Sequence, residues 1–321
     1  MIDFLTSLRD LFLAMIVVAG VAPLWLLPWP LARRVGRLYG LGAFLVWGEG
    51  RRAGMINLHR ALGRTREEAR RDVRVVFANL AQSIMEGIHF SRRYPLGSDT
   101  WMASYRAEDP ALERRILADP RPKIFVMCHL GAWEAGSSIL DRAVNGRGSA
   151  NARRVDNRWL DRLVRRTRLR TPEQWIEKKG AVSVAEQRLR SGENVMMLLD
   201  ENGGKRGPFV PFFGRVASTR KTPALLSLRT GAPIVVGAFT REGEWRFVNR
   251  MVLIDPAAEG LHGPDAIAAI TERINAATEA WIRQSPLQWR WIHWRWRTRP
   301  DGSEERYDRR ALRECFSGSA E

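Results

Sequence analysis

Cysteine is scarce: the 321 residues include only two, Cys128 and Cys315. One widely separated pair is no disulfide framework, and without C-x-x-C spacing it is no zinc cage either. A reducing compartment follows, with the main body of the chain expected in the cytoplasm. No G-x-x-x-x-G-K-[ST] stretch is present, so nothing points to a nucleotide phosphate cradle. Internal repeats, low-complexity tracts and Gly/Ser linkers are also missing, and the body reads as one unit. His59, His89 and His262 have no ligand-type neighbours at useful spacing, so no metal is expected. Acidic residues are outnumbered, with 35 Asp+Glu against 52 Lys+Arg and a formal net charge of +17. That imbalance suits polyanionic partners, whether nucleic acid, an anionic membrane lipid surface or an acidic carrier protein.

What is abundant narrows the choice. Thirteen tryptophans favour a lipid interface, where an amphipathic ring satisfies both sides. The stretch Leu11 to Ala32 carries no charge, about the length that spans hydrocarbon. Pro23, Pro28 and Pro30 interrupt the end of a simple helix, so the segment is also compatible with lying in the interface. A cleaved signal peptide is the competing reading, but apolar sequence continues past the candidate cut. Arg33, Arg34, Arg37, Arg51 and Arg52 follow the span and keep the bulk of the chain on the cytoplasmic side. The expected organisation is an anchor over 1–32 and a single domain over 33–321.

Residues 31–92 read as helical. Thr65 with Glu68 three positions on is a capping signal. Val73, Val76, Phe77, Leu80, Ile84 and Ile88 then recur at helical spacing. From about 110 the pattern changes to short apolar strands, KIFVMC (123–128), NVMMLL (194–199) and PIVVGAF (233–239), suited to burial on both faces. Helices are expected between them over Ala135–Val144, Asn157–Leu169 and Val182–Arg190. The fold class is therefore α/β, a mixed central sheet flanked by helices with an N-terminal hydrophobic membrane-anchoring helix.

Chemistry in such sheets gathers at the carboxyl ends of strands. HLGAWE follows the first strand directly, placing His129 at its end and Glu134 in the first turn of the next helix. Transfer of an acyl group from a thioester to an alcohol needs a base near neutral pH, and an imidazole oriented by a carboxylate supplies one. The acceptor's own hydroxyl is then the nucleophile, and the protein needs no catalytic serine. H-x-x-x-x-E is a common pattern, however, and a structural histidine is the alternative. Cys128 should turn away from the cleft that His129 faces, because adjacent strand residues point to opposite faces. That places its thiol in the core rather than in catalysis.

The second strand ends in LLDENGGKRGPFVPFFGR, where Asp200, Glu201 and Asn202 precede a Gly-rich turn. These groups suit hydrogen bonds to a sugar or phosphate, although an ordinary strand-to-loop transition accounts for them equally well. QWRWIHWRWRTRP (288–300) interleaves Trp289, Trp291, Trp294 and Trp296 with Arg290, Arg295, Arg297 and Arg299. It suits stacking on nucleic-acid bases, or a strand with one face on the body and the other toward anionic headgroups. His293 within it reads as structural, and RRTRLR (165–170) reads as a solvated helix face or a headgroup contact.

Taken together these segments resemble the late acyltransferases of lipid A biosynthesis, the lauroyl and myristoyl transferases related to lysophospholipid acyltransferases. The likeness runs through the apolar N-terminus into RRAGMINLHRAL, then HLGAWE, RRVDNRWLD (153–161), LLDENGG, FVPFFGRVAST and QWRWIHWRWRTRPDG. It implies an inner-membrane enzyme that adds an acyl chain to a glycolipid precursor, with acyl carrier protein or coenzyme A thioester as co-substrate and no further cofactor. Within that resemblance His129 is the base and Glu134 its partner. Arg153 contacts a phosphate of acceptor or donor, Asn157 and Glu201 belong to the substrate-binding set, and Asp200 shapes the acceptor site. Arg158 stands where proline is common, and Glu201–Asn202 replace more usual residues, which leaves the acceptor open; phosphatidylinositol mannoside is the alternative. The rivals of a different class are a basic nucleic-acid-binding protein, against which the uncharged N-terminal span argues, and a lipid-binding protein without catalysis.

Overall fold

The computed structural model describes residues 26–93, 105–136, 148–151, 157, 159, 161, 175–176, 180–244, 246–263 and 265–317. Among the described residues three helices come first: α1 (Trp29–Val46), α2 (Gly48–Leu62) and α3 (Arg66–Arg93). Pro28 caps α1 and Pro30 sits in its first turn, where a missing N–H costs nothing. Most of the expected anchor, residues 11–25, lies outside the described residues, and its last four residues open α1. Among the described residues no helix is long and apolar enough to cross a membrane.

Helix α1 lies against α3 through Ala32, Gly36, Gly40 and Phe44, one residue per turn on the buried face. Small side chains let the two backbones approach closely. A Cβ at Gly40 would stand 2.4 Å from the Phe77 carbonyl oxygen. The start of α3 is the expected reciprocal cap. The Thr65 backbone N–H donates to Glu68 Oε2 at 2.9 Å, and the Glu68 N–H donates to Thr65 Oγ1 at 3.3 Å. Val73, Val76 and Phe77 face inward as expected. Ile84 does not: it is exposed, and Met85 takes the buried position, where it meets Gly36 of α1. The helix must serve two partners in its second half, which rotates the buried stripe by one residue.

The rest is α/β. In chain order come β1 (Tyr105–Ala107), α4 (Pro110–Ala118), β2 (Ile124–Gly131), β3 (Gly148–Asn151), β4 (Trp175–Ile176), α5 (Ala181–Arg190) and β5 (Asn194–Leu198). A two-stranded hairpin follows, β6 (Phe209–Phe212) with β7 (Arg215–Ser218), then α6 (Thr222–Thr230), β8 (Ile234–Gly243), β9 (Arg246–Ile254), α7 (Ala266–Gln284) and α8 (Arg309–Ser317). Among the described residues seven strands form the main sheet in the order β1-β9-β8-β2-β5-β3-β4. All its pairings are parallel except β8 with β9. The three expected strands are its centre, β8-β2-β5.

Strand β2 is buried on both faces. Val126, Cys128 and Leu130 enter the main core with Trp289, Trp291 and Phe212, while Phe125 and Met127 pack with Ile116 and Val235 on the other side. Cys128 is thus a core residue, and its thiol pKa is pushed up by burial. Of the helices expected between the strands, α5 is found over Ala181–Arg190 and ends at Ser191–Gly192. The other two lie mostly outside the described residues.

The tryptophan-arginine segment is not a strand laid on a surface. Trp289, Trp291 and Trp296 are 1%, 0% and 0% exposed, and Arg295 is 0% exposed. Residues 289–299 form successive tight turns with only isolated bridges, Leu130 to Trp289 and Thr298 to Glu304. Each buried indole removes roughly 150–250 Å² from water, far more than a headgroup contact returns, so this string goes inside. Its backbone is held by Asn57 of α2, whose Nδ2 donates to the carbonyls of Trp291 and His293 at 2.7 Å each.

Candidate active site

The parallel register assembles the site. Met127 of β2 pairs with Leu198 of β5, so two residues beyond each, His129 and Asp200 meet at the carboxyl edge of the sheet. His129 Nδ1 lies 2.7 Å from Asp200 Oδ1. Asp200 Oδ2 accepts the His129 backbone N–H at 2.8 Å and the Trp289 indole N–H at 2.7 Å. The carboxylate is buried, and burial opposes its charge. The neighbouring imidazole, followed by Arg290, outweighs that penalty and holds the Asp200 pKa well below the usual carboxylate range. An ionised Asp200 can only accept, so the neutral imidazole carries its proton on Nδ1 and leaves the Nε2 lone pair available.

Strand β2 is fixed at this point from several sides. The Arg290 N–H donates to the His129 carbonyl at 3.2 Å. Two residues on, the Gly131 carbonyl accepts from Ser83 Oγ at 2.6 Å and from Arg241 Nη2 at 3.2 Å. Arg241 in turn pairs with Glu86 of α3, Nε to Oε1 at 2.6 Å and to Oε2 at 2.7 Å, with both side chains buried. Gly131 has φ +67°, and a Cβ there would lie 2.2 Å from the Phe239 carbonyl oxygen, so the strand leaves the sheet where only glycine fits.

Glu134 lies in the helical turn over 133–136. Its Oε1 accepts the Trp133 indole N–H at 3.2 Å, and Trp133 packs edge-on against the His129 ring with centroids 5.5 Å apart. Its Cβ fits over Gly87 of α3, where an added methyl would stand 2.5 Å away. Asp200 thus stands at Nδ1, and Glu134 lies beside the tryptophan that packs against the ring. Glu201 pairs with Arg290, and although burial opposes its charge that arginine keeps its pKa low. Asn202 donates its N–H to His293 Nε2 at 2.9 Å and its Nδ2 to Thr298 Oγ1 at 2.9 Å. His293 is thus a partly buried neutral acceptor, its pKa pushed down to about 4 by desolvation and by Arg290. Asn157 Oδ1 accepts the Trp159 N–H at 3.0 Å, the bond of a helix N-cap. Arg153 lies outside the described residues.

Sequence reasoning gave Asp200 to the acceptor site, read Trp289 only as part of the tryptophan-arginine string, and left Ser83, Glu86 and Arg241 without roles. The signal for Asp200 was the equal phase of KIFVMC and NVMMLL: aligned as parallel neighbours, they end in His129 and Asp200 side by side. Among the described residues no group of His, Cys, Asp and Glu is arranged to hold a metal ion.

Comparison with known proteins bears on this geometry. The family model of the bacterial lipid A biosynthesis acyltransferases matches residues 2–298. A lipid A biosynthesis lauroyltransferase of Escherichia coli K12 is 28% identical over 297 residues, covering 90% of this chain and 93% of that protein. A lipid A biosynthesis palmitoleoyltransferase of the same organism is 29% identical over 161 residues, about half of each chain (49% and 51%). A lipid A biosynthesis acyltransferase of Shigella flexneri shows the same extent and identity.

Proposed function

Since the chain belongs to the bacterial lipid A biosynthesis acyltransferase family and is an acyltransferase, we propose that it moves a fatty acyl group from a thioester to a hydroxyl of a lipid A-type glycolipid, with His129 as general base. The observation that carries this reading is the bond from His129 Nδ1 to a buried, ionised Asp200, which leaves Nε2 as the proton acceptor. The acceptor hydroxyl donates to Nε2, loses its proton there as its oxygen attacks the thioester carbonyl, and forms a tetrahedral intermediate. Collapse expels the thiolate, which takes the proton back from the imidazolium. The protein forms no covalent acyl intermediate. Asp200 orients the ring and stabilises its charged form, while Glu134, linked to His129 through Trp133, is the second carboxylate of the centre. Asn157, Glu201 and Arg153 are assigned to substrate binding. The donor is acyl carrier protein or coenzyme A thioester.

The same reading places the enzyme on the cytoplasmic face of an inner membrane. Helix α1 supports this: Leu31, Leu38 and Leu45, seven residues apart, are 45%, 64% and 72% exposed, and Arg33, Arg34 and Arg37 share the helix. An apolar stripe beside arginines suits an anionic bilayer surface.

The test is thioester consumption by the purified chain with a hydroxyl-bearing glycolipid acceptor. Replacing His129 with alanine should lower turnover by about 10²–10⁴-fold. Glu134→Ala should lower kcat more than donor affinity, since its carboxylate holds Trp133, which packs edge-on against the His129 ring, and positioning of the base matters most in the transition state. Near wild-type transfer by His129→Ala would remove the base from this account.

A further inference from the structure

Away from the catalytic edge, three guanidinium groups converge on one carboxylate. Arg60 at the end of α2, Arg215 at the start of β7 and Arg299 of the C-terminal segment all face Glu305. Arg215 Nη2 donates to Oε1 and Oε2 at 3.2 and 3.1 Å, Arg299 Nη1 lies 3.4 Å from Oε2, and Arg60 Nη1 pairs with Oε1. Among the described residues one carboxylate faces three guanidinium groups, an excess of two positive charges. The neighbouring acids are engaged elsewhere: Glu304 with Arg297, Asp308 with Arg306 and Glu314 with Arg310.

The group does not have the charge balance of a closed structural ion pair. Burial pushes the Arg215 pKa down to about 10, and repulsion from Arg60 and Arg299 adds to it. Arg215 Nη1 is also buried with no hydrogen-bond partner among the described residues. A buried guanidinium donor left unpaired is costly, and arginine forks pair bidentately with phosphate as they do with carboxylate. The three arginines also reach solvent, with side chains of Arg215, Arg60 and Arg299 that are 21%, 24% and 38% exposed.

We propose that Arg60, Arg215 and Arg299 form a second anion site that takes a phosphoryl group. Its place makes it a remote anchor rather than part of the reacting centre. The Arg215 guanidinium lies 5.7 Å from the Trp296 ring centroid, and Phe212 stands between Trp296 and Trp289 at 5.8 and 5.7 Å. Trp289 is the residue that bonds Asp200. A layer of aromatic rings therefore separates the arginines from His129, so the phosphoryl group bound here belongs to a part of its molecule that does not react. Two sources carry that chemistry, a phosphorylated lipid headgroup and the phosphate of a phosphopantetheine thioester.

The experiment titrates inorganic phosphate into the detergent-solubilised full chain at ionic strength held constant with chloride, and reads the thermal unfolding midpoint. The midpoint should rise saturably with phosphate, in His129→Ala as in wild type. Arg215→Gln should weaken the apparent affinity at least tenfold. Arg299→Gln, at the more exposed rim, should weaken it as well and serves if the Arg215 variant does not fold. Competition then assigns the source: displacement by coenzyme A identifies the donor, and displacement by phosphatidate in mixed micelles identifies a lipid. Absence of a saturable phosphate effect overturns the site, and so does an effect that both arginine variants retain. Binding is measured without turnover, so failure here leaves the assignment of His129 untouched.

Discussion

Replacing Asp200 with asparagine changes one oxygen to an amide nitrogen at almost constant shape, and the consequences follow from the three bonds the carboxylate accepts. Oδ2 receives two N–H groups, from the His129 backbone and the Trp289 indole, and Oδ1 faces His129 Nδ1. An asparagine has one accepting oxygen and one donating NH₂. With the oxygen in the Oδ2 position two buried donors stay paired, and the NH₂ then confronts Nδ1. The imidazole must accept there and carry its proton on Nε2, the wrong tautomer for a base. The opposite amide orientation keeps the tautomer but turns the NH₂ toward two buried N–H groups, at about 1–3 kcal/mol for each donor left unpaired. The first orientation is favoured. We expect kcat to fall by about 10²–10⁴-fold with little change in KM, and the thermal midpoint to move only slightly. Steady-state thioester consumption gives the first quantity, and thermal unfolding controls for the second. Turnover within a few-fold of wild type, in a variant whose His129 tautomer has changed by ¹⁵N NMR, would refute the reasoning.

Two further outcomes are expected. Gly40→Ala drives a methyl toward the backbone of Phe77 and should destabilise the chain by about 1–3 kcal/mol in denaturant unfolding, whereas Gly42→Ala, with nothing within 4 Å, should be neutral or stabilising by up to about 1 kcal/mol; equal effects at the two positions would contradict the α1–α3 packing. His293 has a folded pKa of about 4, below its ordinary 6.5, so between these values the unfolded chain takes up a proton that the native protein does not, and stability falls as pH drops through that window. His293→Gln keeps an acceptor for the Asn202 N–H and should flatten that slope; parallel stability–pH curves for the two proteins would contradict it.

Much of the fold was legible because its signals are local. Three apolar runs became the central strands, the Thr65–Glu68 pair became a cap, and Cys128 fell into the core by simple alternation. The site was legible only by half. His129 was visible at a strand end, but its partner at Nδ1 depends on which strands are neighbours and in what register, information held between segments 71 residues apart. The His129–Glu134 pair, five residues apart, was read from proximity in sequence, and Glu134 stands next to the ring through Trp133. The tryptophan-arginine string misled for a related reason. Arginine is read as a surface residue, yet Arg295 is buried by donating to the Ser218 carbonyl at 2.6 Å and Thr219 Oγ1 at 2.7 Å, partners that no local pattern announces. Ser83, Glu86 and Arg241 escaped notice because a buried ion pair between a helix and a strand leaves no periodic trace.

The most direct measurement is mass spectrometry of glycolipids from cells that express the wild-type chain or His129→Ala, set against cells that lack it. The account predicts a lipid A-type species heavier by one acyl chain with the wild-type protein, absent or strongly reduced with His129→Ala at equal protein level. An unchanged glycolipid profile with wild type, or the same acylated species with His129→Ala, would contradict it.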